Sequence, residues 1–155
     1  MTAVAYVAVC GPGQASDDEL GRAEAVGAGL ARAGAVLVCG GLGGVMEAAC
    51  QGAVQAGGTT VGLLPGLDRA AANAFVDVAI ATGMGELRNG LIVRTADAVI
   101  AVGGAWGTLS EIALAVKTGT PVVALGSWDV GDGEIVRAGS PEEAVELALA
   151  AAAAS

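Results

Sequence analysis

Short, β-branched apolar runs alternate along this 155-residue chain with longer alanine-rich stretches of helical period. Repeated β-strand, α-helix, β-strand units produce that rhythm. The runs AVAYVAVC, AVLVC, AVIAV and PVVAL are apolar almost without a break. A strand wetted on one face alternates polar and apolar residues, so unbroken apolarity puts these strands in a parallel sheet covered by helices on both faces. The pattern predicts strands over 3–10, 35–39, 59–64, 76–80, 98–102 and 121–125, and helices over 17–33, 44–56, 84–96, 107–118 and 141–152. Ser16 and Ser140 each stand three residues before a glutamate, as helix N-caps do. Neither a linker nor a repeat of fixed period interrupts the chain, and its length suits one domain. We expect a single α/β domain over 1–155, with a central, mainly parallel sheet.

Composition removes whole classes of chemistry. The formal net charge of −9 repels polyanions, so neither nucleic acid nor an anionic membrane face is an expected partner. With no histidine, histidine triads, histidine bases and histidine-ligated metals are excluded together, and no metal site is expected. Cys10, Cys39 and Cys50 are odd in number and lack CxxC spacing, which suits buried, reduced thiols. No apolar stretch reaches the roughly 18 residues of a membrane span and the N-terminus lacks a basic leader, so a cytoplasmic location is the expectation.

The informative glycines gather where strands hand over to helices. They form Cys10-Gly11-Pro12-Gly13, Gly40-Gly41-Leu42-Gly43-Gly44 and Gly103-Gly104-Ala105-Trp106-Gly107-Thr108. In a parallel sheet all three turns lie at the carboxyl ends of the strands, where open α/β folds bind ligands. Backbone amides freed of Cβ atoms, backed by helix N-termini, can hold a phosphate without lysine, and Lys117 is the only lysine in the chain. Glycine equally serves any tight turn, so one cluster alone would decide nothing; three on one edge favour a ligand. Neither the GxxxxGK[ST] nor the GxGxxG pattern occurs, which disfavours a P-loop NTPase and a nicotinamide dehydrogenase.

Three charged residues lie near these turns. Arg88 should reach the same edge and is a natural phosphate fork, or else a surface arginine paired with Glu86 or Asp97. Glu111 belongs to Thr108-Leu109-Ser110-Glu111, which also spells a capping box. Glu47, three residues after Gly44, fits a ligand contact or a first-turn carboxylate complementing the helix dipole.

The runs CGGLGGVMEAA (39–49), LRN (87–89) and AVIAVGGAWGTLSEIALAVKTGTPVV (98–123) resemble the family that joins LOG-type cytokinin-riboside 5′-monophosphate phosphoribohydrolases to molybdenum-cofactor carrier proteins. The resemblance implies a Rossmann-like three-layer sandwich, a homodimer or homotetramer, and a phosphate site at the strand carboxyl ends. Against the phosphoribohydrolase hallmark PGGxGTxxE, Gly104, Gly107, Thr108 and Glu111 match, and Arg88 matches the arginine of MHxRK. Gly103 replaces the hallmark proline, Ala105 its second glycine, Asn89 the lysine and Glu86 the histidine. GGVMEAA, with Glu47, and the Arg88-Asn89 pair look more like the carrier branch.

Two readings follow from the resemblance. In one, Arg88 and Glu111 are catalytic and the chain hydrolyses the N-glycosidic bond of a nucleoside 5′-monophosphate. Glu111 then stabilises positive charge on the ribose. In the other, the chain is a non-catalytic carrier or sensor of a phosphate-bearing cofactor such as molybdenum cofactor. In both, Gly11, Gly40, Gly41, Gly43, Gly44, Glu47, Asn89, Gly103, Gly104, Gly107 and Thr108 form the binding site, and no accessory cofactor is required. The ligand is a phosphate-bearing nucleotide or a molybdopterin-type molecule.

Overall fold

The structure, a computed structural model, describes residues 3–155. Strands β1 (Tyr6–Cys10), β2 (Val36–Cys39), β3 (Thr59–Leu64), β4 (Val78–Ala81), β5 (Ala98–Val102), β6 (Val122–Leu125) and β7 (Ile135–Arg137) form one sheet in the order β4-β3-β2-β1-β5-β6-β7. Every neighbouring pair is parallel. The helices are α1 (Asp17–Arg32), α2 (Val45–Gln55), α3 (Asn89–Thr95), α4 (Trp106–Thr118) and α5 (Pro141–Ala153). The chain lays strands outward from β1 to β4, then returns to the other side of β1 with β5. The carboxyl ends of β1 and β5 therefore flank the point where strand order reverses, which is where open α/β sheets bind ligands.

Side-chain alternation along β1 divides the core into two layers. Val7 and Val9 pack with Ala23, Val26 and Leu30 of α1, Ala49 and Ala53 of α2, and Ala144 and Ala148 of α5. Ala8 and Cys10 face the opposite way, against Ile92 and Val93 of α3 and Ile112 and Ala115 of α4. All five residues of β5 are buried, as a strand with helices on both faces must be. The arrangement is the expected three-layer Rossmann-like α/β fold. No helix among the described residues is long and apolar enough to cross a membrane.

One local expectation is corrected, and one strand appears that the sequence pattern did not predict. The stretch 84–96 is not one helix: a 3-10 turn over Gly85–Arg88 precedes the seven-residue α3. Gly83 and Gly85 take φ of +64° and +59°, which no α-helix accommodates. The strand β7 follows a glycine-rich loop and has only three residues, with Val136 48% exposed at the sheet edge. So short an edge strand gives almost no apolar run to detect.

Candidate functional site: a glycine-lined rim over Arg88, Thr108 and Glu111

Pro12 is the hub on which the three glycine turns meet. Its carbonyl accepts the Val45 amide at 3.1 Å, tying the first turn to the second. Gly44 takes φ +67°, and a Cβ there would overlap the Pro12 and Gly13 carbonyl oxygens. Gly103 takes φ +68°, with Pro12 Cδ 3.2 Å from where its Cβ would stand and the Glu19 carboxylate on the same side. At both positions the backbone conformation and the close approach demand glycine together. Gly11 packs against the Val102 carbonyl and the Val45 side chain, so the first and third turns also touch.

The second turn is held from beneath. Asn73, in the loop after β3, donates its amide to the Gly41 carbonyl and its side chain to the Leu42 carbonyl, both at 2.9 Å. The Gly41 amide points back at Cys39 Sγ, 3.3 Å away, so it serves the loop itself. Gly43 has open space around its Cα, with Glu47 Oε2 3.8 Å from an ideal Cβ. Sequence reasoning missed Asn73: it lies 31 residues from Leu42, and no spacing rule links the two.

The helices leaving the second and third turns differ from α1 and α5 at their starts. Ser16 and Ser140 cap α1 and α5 with their side chains, Ser16 within a full capping box. The N-caps of α2 and α4 are Gly44 and Ala105, and neither makes a side-chain cap bond. Apart from the Val45 amide, which the Pro12 carbonyl takes, their first-turn amides keep donors and a positive dipole end at the rim.

This geometry corrects the capping-box reading of Thr108 and Glu111. Because α4 begins at Trp106 with Ala105 as N-cap, Thr108 lies inside the helix. Thr108, Glu111, Ile112 and Ala115 form its buried stripe. Thr108 is 2% exposed, and its Oγ1 has no hydrogen-bond partner. Glu111 is 9% exposed, and burial pushes its carboxyl up to about 7 despite the opposing pull of Arg88. Gly107 is exposed on the first turn, its carbonyl accepting from Ser110 Oγ at 2.8 Å.

Arg88 is buried rather than paired with Glu86 or Asp97 at the surface. Its Nε donates to the Leu63 carbonyl at 2.8 Å, Nη2 reaches the Gly40 carbonyl at 3.4 Å, and Nη1 donates to Asn89 Oδ1. Gly40 leaves room for this: a Cβ there would come within 2.6 Å of Nη2. Three donations leave two of the five guanidinium N–H groups uncommitted. Asn89, also buried, passes the network on from Nδ2 to Ser110 Oγ at 3.0 Å. Arg88 and Asn89 thus brace the second turn against the first turn of α4.

Glu47 stands apart from this cluster. It lines a groove of about 500 Å³ with Gly13, Gln14, Gly44 and Gln51, in the layer of α1 and α2. Glu111 belongs to the α3–α4 layer, so the two carboxylates do not form a pair. All three cysteines are buried and free. Burial pushes the Cys10 thiol up, and contact with Cys39 across 3.5 Å does the same for Cys50, so neither is a ready nucleophile. The described residues contain no cluster of three or more Cys, Asp or Glu that could hold a metal ion.

Comparison with known proteins agrees with this architecture. An uncharacterized protein of Archaeoglobus fulgidus is 44% identical over 143 residues, 92% of this chain and 93% of that protein. The molybdenum cofactor binding protein of Rippkaea orientalis superposes with a TM-score of 0.91 at 38% identity, covering 97% of this chain and 98% of its own. The Moco carrier protein of Chlamydomonas reinhardtii gives 0.90 at 34% identity, covering 99% and 100%. The resemblance of 39–49, 87–89 and 98–123 to the carrier branch is therefore upheld. Residues 4–153 match the SLOG cluster4 family, and the chain belongs to it.

Proposed function

We propose that this chain binds the phosphate of a molybdopterin-type cofactor or a related nucleotide at the rim formed by its three glycine turns, and acts as a carrier. The observation that carries the reading is Thr108 Oγ1. A hydroxyl buried without a partner costs about 1–3 kcal/mol, and a site built for a ligand oxygen recovers that cost on binding. It lies in the uncapped first turn of α4, beside the turn that packs on Pro12. Free amides of α2 and α4 and the remaining Arg88 donors supply hydrogen bonds to the phosphate oxygens. The similarity to two molybdenum cofactor proteins supports the pterin class of ligand. Native mass spectrometry of protein purified from cells that make molybdenum cofactor tests this: a bound pterin phosphate is expected, and protein that emerges free of any phosphate ester counts against it.

Hydrolysis of a nucleoside 5′-monophosphate is the second reading, and Glu111 is the observation that bears on it. Stabilising an oxocarbenium-like ribose requires an ionised carboxylate. Burial pushes the Glu111 carboxyl up to about 7 and so disfavours the ionised form that this reading needs. Base release that rises steeply above pH 7 would restore the hydrolase.

We further propose that the whole chain works as one binding domain and self-associates through the α3–α4 layer. Leu87 is 77% exposed, Met84 43% and Leu91 38%, beside a groove of about 310 Å³ between the two helices. A second copy would bury this apolar face.

A further inference from the structure

We propose that Trp106 and Trp128 form an aromatic wall on which the flat heterocycle of the ligand stacks; this rests on the phosphate site just described. Aromatic residues make up 3% of the chain, and both tryptophans meet at this rim. Their ring centroids are 5.4 Å apart with 34° between the planes. Trp128 is fixed, since its Nε1 donates to the Ala105 carbonyl at 3.0 Å and its indole lies 3.2 Å from where a Gly104 Cβ would stand. Trp106, backed by it, is 78% exposed.

The position of Trp106 links the wall to the cradle. It is the first residue of α4, on the same uncapped turn whose amides face the rim, and Trp128 is tied to the Ala105 carbonyl that opens this turn. Next to the pair, Gly104, Gly126, Ser127, Trp128 and Asp129 line an open groove of about 340 Å³. Ser127 Oγ is buried there without a hydrogen-bond partner, a second orphaned hydroxyl on the same edge of the sheet. A heterocycle lying on the wall offers edge nitrogens and oxygens to it. Asp129, ion-paired with Arg137, bounds the groove. Stacking is tolerant of ring type because every purine or pterin has a π-face.

Intrinsic fluorescence reports on this wall alone, because the chain has no other tryptophan. Adenosine 5′-monophosphate and ribose 5-phosphate are titrated separately into wild type and Trp106→Leu. Expected are quenching by the nucleotide, affinity for it about tenfold or more above that for ribose 5-phosphate, and collapse of that ratio in Trp106→Leu with ribose 5-phosphate binding unchanged. An unchanged ratio in the variant overturns the wall and leaves the phosphate site standing. Nucleotide binding that is sensitive to Trp106 without any ribose 5-phosphate binding keeps the wall and overturns the phosphate site; no binding of either probe overturns both. A concentration-dependent blue shift without any probe would show Trp106 covered by a second copy, which also overturns the wall.

Discussion

The Arg88 guanidinium, buried under the second glycine turn, reaches the Gly40 carbonyl at 3.4 Å while its Nε holds the Leu63 carbonyl at 2.8 Å. The residue therefore has two tasks, bracing a loop and presenting its remaining donors. Arg88→Ala should lower stability by roughly 3 kcal/mol, because buried carbonyls lose charged donors. At temperatures where the variant stays folded, it should weaken nucleoside monophosphates far more than free nucleosides. Denaturant unfolding and calorimetry measure the two effects, and equal loss for both ligands would remove the phosphate role.

Thr108→Val keeps the shape of the side chain and removes the orphaned hydroxyl. Without ligand the variant should be as stable as wild type or more so by about 1 kcal/mol. Phosphate-ester affinity should fall about tenfold or more, since a hydrogen bond to a charged group is lost. An unaltered affinity would show that Oγ1 does not face the ligand.

Glu111 gives a pH signature with a definite sign. Its folded-state pKa, about 7, lies above that of an exposed carboxyl, so folding favours the protonated form. Stability is fully present below the unfolded-chain value near 4.5 and is lost as pH rises through 7, about 3 kcal/mol in all. Glu111→Gln should flatten that decline in unfolding experiments between pH 4.5 and 8. Phosphate esters gain their second charge near pH 6, so affinity should peak between about 6 and 7 and fall above it. In Glu111→Gln it should stay high. A wild-type affinity still climbing at pH 8 would contradict the burial of this carboxyl beside the anion.

Gly44→Ala places a Cβ against the Pro12 and Gly13 carbonyls at a φ of +67°. A destabilisation of 2 kcal/mol or more is expected in chemical unfolding, well above the ordinary cost of a surface substitution. Gly107→Ala meets open space and should be nearly neutral. Similar effects at the two positions would show that the turns are not packed on Pro12.

Much of this was legible in the sequence for identifiable reasons. Parallel strands buried on both faces leave unbroken apolar runs, so β1, β2, β5 and β6 announce themselves. Three glycine turns at strand ends must share one edge of such a sheet. The roles of individual side chains were less accessible. TLSE spells a capping box, yet the cap falls three residues earlier, at Ala105, and this turns Thr108 and Glu111 inward. Glu47 and Glu111 each follow a glycine turn, but α2 and α4 cover opposite faces of the sheet. Spacing along one chain does not reveal which layer a helix joins when the crossover direction changes between β4 and β5.

Calorimetric titration of the wild-type protein at pH 6.5 with molybdopterin and with its dephosphorylated form is the most direct test of the phosphate site. Saturable binding of the phosphorylated form, with affinity for the dephosphorylated form at least a hundredfold weaker, is the expected result. Equal affinity for the two forms would mean that the glycine rim does not hold a phosphate at all.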